Sequence, residues 1–519
     1  MKEIFGLSKF KPKKPQRFKS QAVLSTEAHY HLAVLSFIIL PPTVRSIKQK
    51  AERSEMEEAE ILEIYELGYA DLVLLSSSNA SSTSPEERDK VESMAKTIME
   101  TLGPMGPGLL AVTGVPGASK LRKEFLPLAR ELALLDHESR KRILKEHSLG
   151  SDVPLKNPDR SVSSFAMQLK YAKDTVVTES KPSRGADYEL HSEENHYEDD
   201  QIMTECHDMK FKNLGSIFKE LGFCMIELGL RLAQICDRAI GGYELEKSLL
   251  ESCAAKGRLI HYHSVLDGLL LKELERRKRT GKREGNIKRD QEYTYTKKGQ
   301  RQLKGLKLNS SVCDANSCGI HSNLWQQWHY DYGIFTVLTA PFFLMPSCSL
   351  TTKTEEPYSA SCNEEFPSPT GHTSLQIYDP NKNRVFMVKA PPESFIIQVG
   401  ESADIISKGK LRSTLHSVYR PSKSENLSRE MFVVFLQPAW NKTFSTSDYP
   451  QTNTMSNARC LLASDDEPQF GQEKSTLCDE IQRTVPPLSS RLQDGMTFAE
   501  FSRETTKQYY GGSGLQSHR

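Results

Sequence analysis

Six short strand-like runs that follow Trp325 constrain the fold of this chain more than any other feature of its sequence. They occupy residues 334–338, 374–378, 385–388, 394–399, 415–419 and 431–436. Turn-forming segments such as Asp379-Pro380-Asn381 and Lys408-Gly409 separate them. Several strand-like runs joined by such turns are typical of a β-sandwich or a jelly roll. The sequence therefore predicts a β-sheet core in this part of the chain.

The preceding residues show mainly helical patterns. Residues 51–67, rich in Glu and Ala, predict a helix, as do residues 91–102 and 120–135, whereas residues 109–113 predict a short strand. From residue 213 to 250, apolar side chains recur at helical spacing, at Leu214, Ile217, Phe218, Leu221, Met225, Leu228, Leu232 and Ile235. Such a stripe is more often core than a cofactor site. Together the patterns predict an α+β fold, with a jelly-roll core, flanking helices and polar insertions.

Two polar segments interrupt these patterns. Residues 174–208 are acid-rich and hold too few apolar side chains to build a core, which predicts an insertion. Residues 272–307 are dense in Lys and Arg, and two interpretations stay open: a solvated loop, or a nuclear-localisation or nucleic-acid patch. We predict a flexible region 1–90, a mainly helical region 91–260 with the acidic insertion, a jelly-roll domain 261–440 with the basic insertion, and a loose C-terminal tail 441–519.

Charge and hydropathy argue against several partners. The chain has 68 basic and 67 acidic residues, so no global charge attracts nucleic acid or an anionic membrane. Its longest apolar run, residues 32–40, is shorter than the roughly 20 residues of a membrane-spanning helix.

The cysteines bear on the compartment. All ten are scattered along the sequence, which favours reduced thiols. We expect a cytoplasmic protein, with the nucleus or an organelle as alternatives, because the basic residues 4–26 could be a transit peptide or a disordered arm.

Three residues in the predicted strand region are candidate metal ligands. His329 and Asp331 are two positions apart, so on a regular strand their side chains share a face, and His416 can reach the same point from a neighbouring strand. Two imidazoles and one carboxylate suit a non-haem Fe(II) site with open positions for a cosubstrate and O2. A His-x-Asp pair alone is a weak signal, because about one is expected by chance among 14 histidines. The alternative is a set of ordinary hydrogen-bonded histidines at strand ends.

The residues around these ligands form an ordered series. Residues 328–338 read Trp-His-Tyr-Asp-Tyr-Gly-Ile-Phe-Thr-Val-Leu, and residues 374–377, 395–401, 405–409 and 413–418 follow. This series resembles the plant-type 2-oxoglutarate/Fe(II)-dependent oxygenases, the family that includes isopenicillin N synthase, and the resemblance covers roughly residues 100–175 and 205–440. It implies a double-stranded β-helix, Fe(II) bound by the three ligands, and 2-oxoglutarate and O2 as cosubstrates. It also implies a small-molecule substrate that is hydroxylated or desaturated, and a strand with a glycine turn at 405–409.

The same resemblance implies residues for the cosubstrate pocket. Members of the family hold the distal carboxylate of 2-oxoglutarate with an Arg-x-Ser pair after the second histidine and an Asn-x-Tyr pair upstream. Here the first pair reads Arg429-Glu430-Met431, and His261-Tyr262-His263 stands where the second is expected. We therefore expect Arg429, His261 and His263 to contact 2-oxoglutarate. The departures from the family pattern leave a second hypothesis open, a catalytically silent barrel that acts as a binding or scaffold module.

Overall fold

Two β-sheets face each other in the computed structural model, which describes residues 60–77, 85–172, 209–281, 324–345, 364–421, 426–447, 449, 481 and 484–510. The strands are β1 (Glu60–Glu63), β2 (Glu66–Gly68), β3 (Leu109–Thr113), β4 (Val162–Lys170), β5 (Ala254–Tyr262), β6 (Leu324–His329), β7 (Phe335–Thr339), β8 (Phe342–Leu344), β9 (Glu365–Phe366), β10 (Leu375–Asp379), β11 (Arg384–Lys389), β12 (Phe395–Val399), β13 (His416–Tyr419) and β14 (Ser428–Leu436). Among the described residues, the small sheet has the order β1-β11-β10-β13-β6. The large sheet has the order β2-β3-β12-β7-β14-β5-β4, with β8 beside β14 and β9 beside β8.

Helices cover the outer face of the large sheet, and two more lie in the C-terminal segment. They are α1 (Tyr69–Ser76), α2 (Pro85–Leu102), α3 (Ala118–Phe125), α4 (Pro127–Leu134), α5 (His137–Glu146), α6 (Leu214–Ile240), α7 (Glu244–Ser252), α8 (Val265–Gly281), α9 (Glu401–Ile406), α10 (Leu488–Arg491) and α11 (Phe498–Tyr510). The long helix α6 anchors this layer: the Phe218 ring packs edge-on against Phe125 of α3 and Phe432 of β14, at centroid distances of 5.7 and 4.7 Å. None of the described helices is both long enough and apolar enough to cross a membrane.

Alternate residues of the central strand β14 enter two different cores. Phe432 and Val434 pack towards the helices, whereas Met431 and Val433 pack between the two sheets. The core between the sheets also takes side chains from the small sheet, such as Ile377. This period-two alternation places a β-sandwich between the helices and the C-terminal segment. The predicted α+β fold with a jelly-roll core is confirmed.

The C-terminal segment packs on the outer face of the small sheet. Ile481 and Val485 lie against Trp328 of β6 and Tyr378 of β10, and Tyr509 of α11 lies at the edge of the same cluster. The last described residues are thus attached to the strand that carries the first predicted ligand. The predicted boundary at residue 260 falls within β5, which pairs along its length with β14.

Several local predictions were wrong. Residues 60–67 were expected in a helix, but β1 pairs in parallel with β11 and β2 with β3, so sheet pairing overrides helix propensity there. Residues 401–406 form the helix α9, so no strand forms at 405–406. The region 120–135 divides at Pro127, and the region 213–250 divides at Gly241, whose φ of 84° ends α6.

Other predictions fall on residues that the structure does not describe. These are the N-terminal residues 1–59, the acidic insertion 174–208 and residues 282–307 of the basic insertion, of which residues 272–281 belong to α8. Among the described cysteines, Cys224, Cys236 and Cys253 are free thiols.

Candidate metal centre

His329, Asp331 and His416 converge at one end of the space between the sheets. β6 ends at His329 and β13 begins at His416, and the two residues lie directly opposite each other in antiparallel strands. The carboxylate of Asp331 is 3.8 Å from Nε2 of His329 and 3.8 Å from Nε2 of His416. One ligand atom from each of the three residues lies within 4.8 Å of the others. The structure thus brings together the three predicted ligands.

Hydrogen bonds orient both imidazole rings towards this point. Nδ1 of His329 donates to the carbonyl of Gln327 at 2.8 Å, and Nδ1 of His416 donates to the carbonyl of Thr414 at 3.0 Å. With Nδ1 protonated in this way, Nε2 carries the lone pair that a metal needs. Burial and the adjacent His416 ring lower the pKa of His329 to about 4, which favours the neutral, ligating form. The donor set and its orientation fit Fe(II).

The carboxylate and backbone of Asp331 are fixed from two sides. Oδ2 accepts a hydrogen bond from Oγ1 of Thr336 at 2.7 Å, and the carbonyl accepts one from the backbone N–H of Glu401 at 2.8 Å. The loop after Asp331 approaches Gly400 so closely that a Cβ there would overlap the carbonyl oxygen of Gly333. A larger residue at position 400 would displace the loop that carries the ligand.

A buried ion pair ties the C-terminal segment to this loop. Arg491 donates from both terminal nitrogens to the carboxylate of Glu401, at 2.6 and 2.8 Å, and the two side chains are 0 and 3% exposed. Although burial alone would lower the pKa of Arg491, the Glu401 carboxylate raises it, so Arg491 is a cation. The hydroxyl of Tyr509 accepts a hydrogen bond from the backbone N–H of Tyr330 at 3.2 Å. Residues 484–510 therefore support the backbone on both sides of Asp331.

Arg429 lies at the start of β14, with its side chain between the sheets. Its guanidinium is over the ring of Tyr262, 5.0 Å from the centroid, and Nε donates to the carbonyl of Thr373 at 3.1 Å. The buried NH1 nitrogen has no hydrogen-bond partner among the described residues. Desolvation lowers the pKa of Arg429 to about 10, so the group remains a cation at neutral pH. A buried cation with a vacant donor is suited to bind a carboxylate.

A chain of contacts connects Arg429 to the triad of His329, Asp331 and His416. The hydroxyl of Tyr262, below the guanidinium, donates to Oε1 of Gln326 at 2.9 Å. Nε2 of the same amide lies 2.9 Å from Nε2 of His329. This contact uses the lone pair that a metal would take, so Gln326 must move aside when a metal binds. Arg429 and the triad therefore belong to one continuous polar site.

His261 and His263 lie on the other face of the large sheet. Ile260 and Tyr262 of β5 pack in the core between the sheets, and Arg429 shares that side. Side chains alternate along a strand, so the residues at 261 and 263 face the helices. The two histidines therefore lie on the opposite face of the sheet from Arg429, whereas the sequence grouped all three around 2-oxoglutarate. Tyr262, between them in sequence, is the residue that lies beside Arg429.

Instead, the two histidines belong to a second polar cluster, under α8. Nδ1 of His261 donates to the Glu430 carboxylate at 2.8 Å, and Nε2 lies 3.5 Å from Oδ2 of Asp267. Burial opposes protonation of His261, but the two carboxylates outweigh it and raise its pKa to about 9. Burial and the charge of His261 lower the pKa of His263 well below its usual value, and Nε2 of that ring contacts Oγ of Ser163 at 2.9 Å.

Sequence reasoning missed four residues of the site. Tyr262 and Gln326 connect Arg429 to the triad, and Arg491 supports the ligand loop. Gln398 of β12 is buried, and its side-chain amide has no partner among the described residues. Strand alternation could have pointed to Tyr262, because it lies between His261 and His263 in the sequence and so faces the opposite side of β5.

No protein-family model matches the chain, and no curated protein sequence matches it. Solved structures show a distant likeness. A full-length Neurospora crassa protein, in complex with alpha-KG and 5-formyluracil, is 14% identical, with a TM-score of 0.38, over 75% of this chain and 90% of that one. The dioxygenase for auxin oxidation 1 of Arabidopsis thaliana, in a 2-oxoglutarate complex, is 14% identical with a TM-score of 0.39. The match covers 73% of this chain and 94% of that one. The dioxygenase for auxin oxidation of rice is 14% identical with a TM-score of 0.38, and the match covers 77% of this chain and 94% of that one. Similarity at this level does not carry an activity or a substrate to this chain.

Proposed function

We propose that this chain is an Fe(II)- and 2-oxoglutarate-dependent oxygenase that acts on a small organic molecule. The observation that carries the proposal is the convergence of His329, Asp331 and His416, with both ring Nδ1 atoms held by backbone carbonyls. Two imidazoles and one carboxylate on one side of an ion leave positions for a cosubstrate and O2. When bound, the iron would supply O2 activation for hydroxylation or desaturation of the substrate.

The remaining residues of the site have roles that follow from their contacts. Arg429 offers its unpartnered NH1 to the distal carboxylate of 2-oxoglutarate, and Tyr262 supports the guanidinium from below. Thr336 holds Oδ2 of Asp331 and so orients the carboxylate ligand. The apolar residues between the sheets exclude water around these groups, which strengthens a charge-assisted hydrogen bond to Arg429.

The test is an anaerobic titration of the purified full chain with Fe(II) and then 2-oxoglutarate, followed by visible absorption. We expect the weak metal-to-ligand charge-transfer band of a chelated 2-oxoacid. His416→Ala should bind no iron and show no band. Arg429→Gln should keep iron and weaken 2-oxoglutarate by about 1.5–3 kcal/mol, the usual value of a hydrogen bond to a charged group, or roughly tenfold to over a hundredfold.

Arg384→Gln is the matched control, because Arg384 is an exposed arginine on β11 that contacts Glu60. It should bind both ligands like the unmodified chain. Iron binding with no effect of 2-oxoglutarate would refute the cosubstrate assignment, and no iron binding at all would refute the oxygenase proposal.

Two observations favour a second candidate, a catalytically silent barrel that serves as a binding or scaffold module. Gln326 hydrogen-bonds the ring nitrogen of His329 that a metal would use, and Met431 supplies no hydroxyl beside Arg429. A folded protein that binds neither iron nor 2-oxoglutarate would support this candidate.

A further inference from the structure

We propose that His261, His263 and Asp267 form a second metal site, which binds Zn²⁺ and is separate from the triad of His329, Asp331 and His416. One ligand atom from each of the three residues lies within 4.8 Å of the others, and all three side chains are buried. The inference does not rest on the proposed oxygenase function, because these residues lie on the helix-facing side of the large sheet.

The distance between two of the donors suits zinc. Nε2 of His261 is 3.5 Å from Oδ2 of Asp267, whereas the carboxylate of Asp331 in the first triad is 3.8 Å from each histidine Nε2. Zinc with bonds of about 2.0–2.2 Å to nitrogen and oxygen has tetrahedral donor separations of about 3.4 Å. This pair of donors is therefore already close to the separation of two ligands of a tetrahedral zinc, and the His263 donor lies within 4.8 Å of both.

Two buried ring nitrogens in this cluster have no hydrogen-bond partner among the described residues. They are Nε2 of His261 and Nδ1 of His263, and their rings are 4.2 Å apart. A buried polar atom without a partner is costly, and most such atoms in native proteins have an explanation such as an ion. A metal between the rings would use both lone pairs.

The other atoms of the ligands are held as those of metal ligands usually are. Nδ1 of His261 donates to the Glu430 carboxylate at 2.8 Å, and Oγ of Ser428 in turn donates to that carboxylate at 2.7 Å. A carboxylate behind a ligating histidine fixes the tautomer and strengthens the ligand. Oγ of Ser163 has two lone pairs, enough to accept from Nε2 of His263 and from Arg160, which lies 2.9 Å away.

The charges around the cluster permit a cation. Glu430 and Asp267 bring two negative charges. Arg130 brings one positive charge by donating to Oδ1 of Asp267 at 2.8 Å, which leaves Oδ2 towards His261, and the buried Arg160 brings a second one behind Ser163, on the far side of His263. Oδ2 also accepts from the backbone N–H and hydroxyl of Ser264, which fixes the carboxylate. The alternative cation is a proton on His261, held by the same two carboxylates. Zinc and the proton compete for Nε2, so only one of them can occupy it.

The experiment measures zinc stoichiometry by elemental analysis after the full chain has been stripped of metal, reloaded with Zn²⁺ and desalted. His416→Ala removes the first triad and should retain one tightly bound zinc. His416→Ala combined with His263→Gln should retain none. His416→Ala combined with His137→Ala is the matched control and should retain one, because His137 lies on α5 outside both clusters, where it contacts Glu138.

Two results overturn the proposal. One is a folded His416→Ala protein that binds no zinc, which leaves the proton as the occupant. The other is zinc that persists when His263 is also replaced, which places the ion elsewhere. If the doubly substituted chain does not fold, X-ray absorption spectroscopy at the zinc edge of zinc-loaded His416→Ala replaces this comparison. We expect the spectrum to show scattering from two imidazole ligands, and a spectrum without it would contradict the site.

Discussion

Replacement of Arg491 by glutamine should destabilise the fold and weaken iron binding together. The change removes the cationic partner of Glu401, whose side chain is 3% exposed and whose two oxygens lie 2.6 and 2.8 Å from the guanidinium. Removal of one partner of a buried ion pair costs about 3–5 kcal/mol, because the remaining charge has no partner. The backbone N–H of Glu401 holds the carbonyl of Asp331, so movement of Glu401 also moves this proposed metal ligand.

The assay is urea unfolding of the full chain, with Fe(II) affinity measured on the same preparations. Arg384→Gln is the control, since its ion pair with Glu60 is exposed and is expected to contribute about 0–1 kcal/mol. The double variant Glu401→Gln with Arg491→Gln should be more stable than Arg491→Gln alone, because it leaves no buried charge unpaired. If Arg491→Gln lowers the free energy of unfolding by no more than Arg384→Gln does, the reasoning is refuted.

Two further predictions concern the backbone and the pH dependence near the same loop. Gly400→Ala should lower Fe(II) affinity at least about tenfold, because its Cβ would overlap the carbonyl oxygen of Gly333 and lie 3.0 Å from that of Asp331. Gly242→Ala, where a Cβ meets nothing within 4 Å, is the control and should bind iron normally. Burial raises the pKa of Asp404 from 3.8 to about 6, so its stabilising contribution is present below pH 4 and is lost as the pH rises through 6. The unfolding free energy of Asp404→Asn relative to the unmodified chain should therefore rise between pH 4 and pH 7, and a pH-independent difference would contradict this.

The positions of several strands, and the convergence of His329, Asp331 and His416, could be predicted from the sequence. Residues 109–113 read as a strand and form β3 with the same bounds. The sequence placed His329 and Asp331 on one face of a regular strand, but β6 ends at His329 and Asp331 lies in the loop that follows, so the loop brings the carboxylate to the histidine. His416 was found from the order of strands around it, and the two histidines are indeed opposite each other.

The face of His261 could not be predicted because β5 is buried on both sides. Leu259 packs towards the helices and Ile260 between the sheets, so the apolar residues show no alternation that would mark one face. The polar residues at the end of the strand therefore allowed either orientation. Only the pairing of His261 with Glu430 in β14 resolves it.

Contacts between distant parts of the chain could also not be predicted from the sequence. Arg491 and Glu401 are 90 residues apart, and neither lies in a motif. Similarly, β1 is four residues long, and its pairing with β11 joins residues more than 300 positions apart. A short apolar segment has no period that distinguishes helix from strand, which is why residues 401–406 were not recognised as α9.

The most direct test of the metal centre is anomalous diffraction at the iron absorption edge, from crystals of the full chain grown anaerobically with Fe(II). We predict one iron peak enclosed by Nε2 of His329, the Asp331 carboxylate and Nε2 of His416, with the Gln326 amide displaced from His329. Iron bound elsewhere, or a triad without an iron peak and with the contact between Gln326 and His329 intact, would contradict the account.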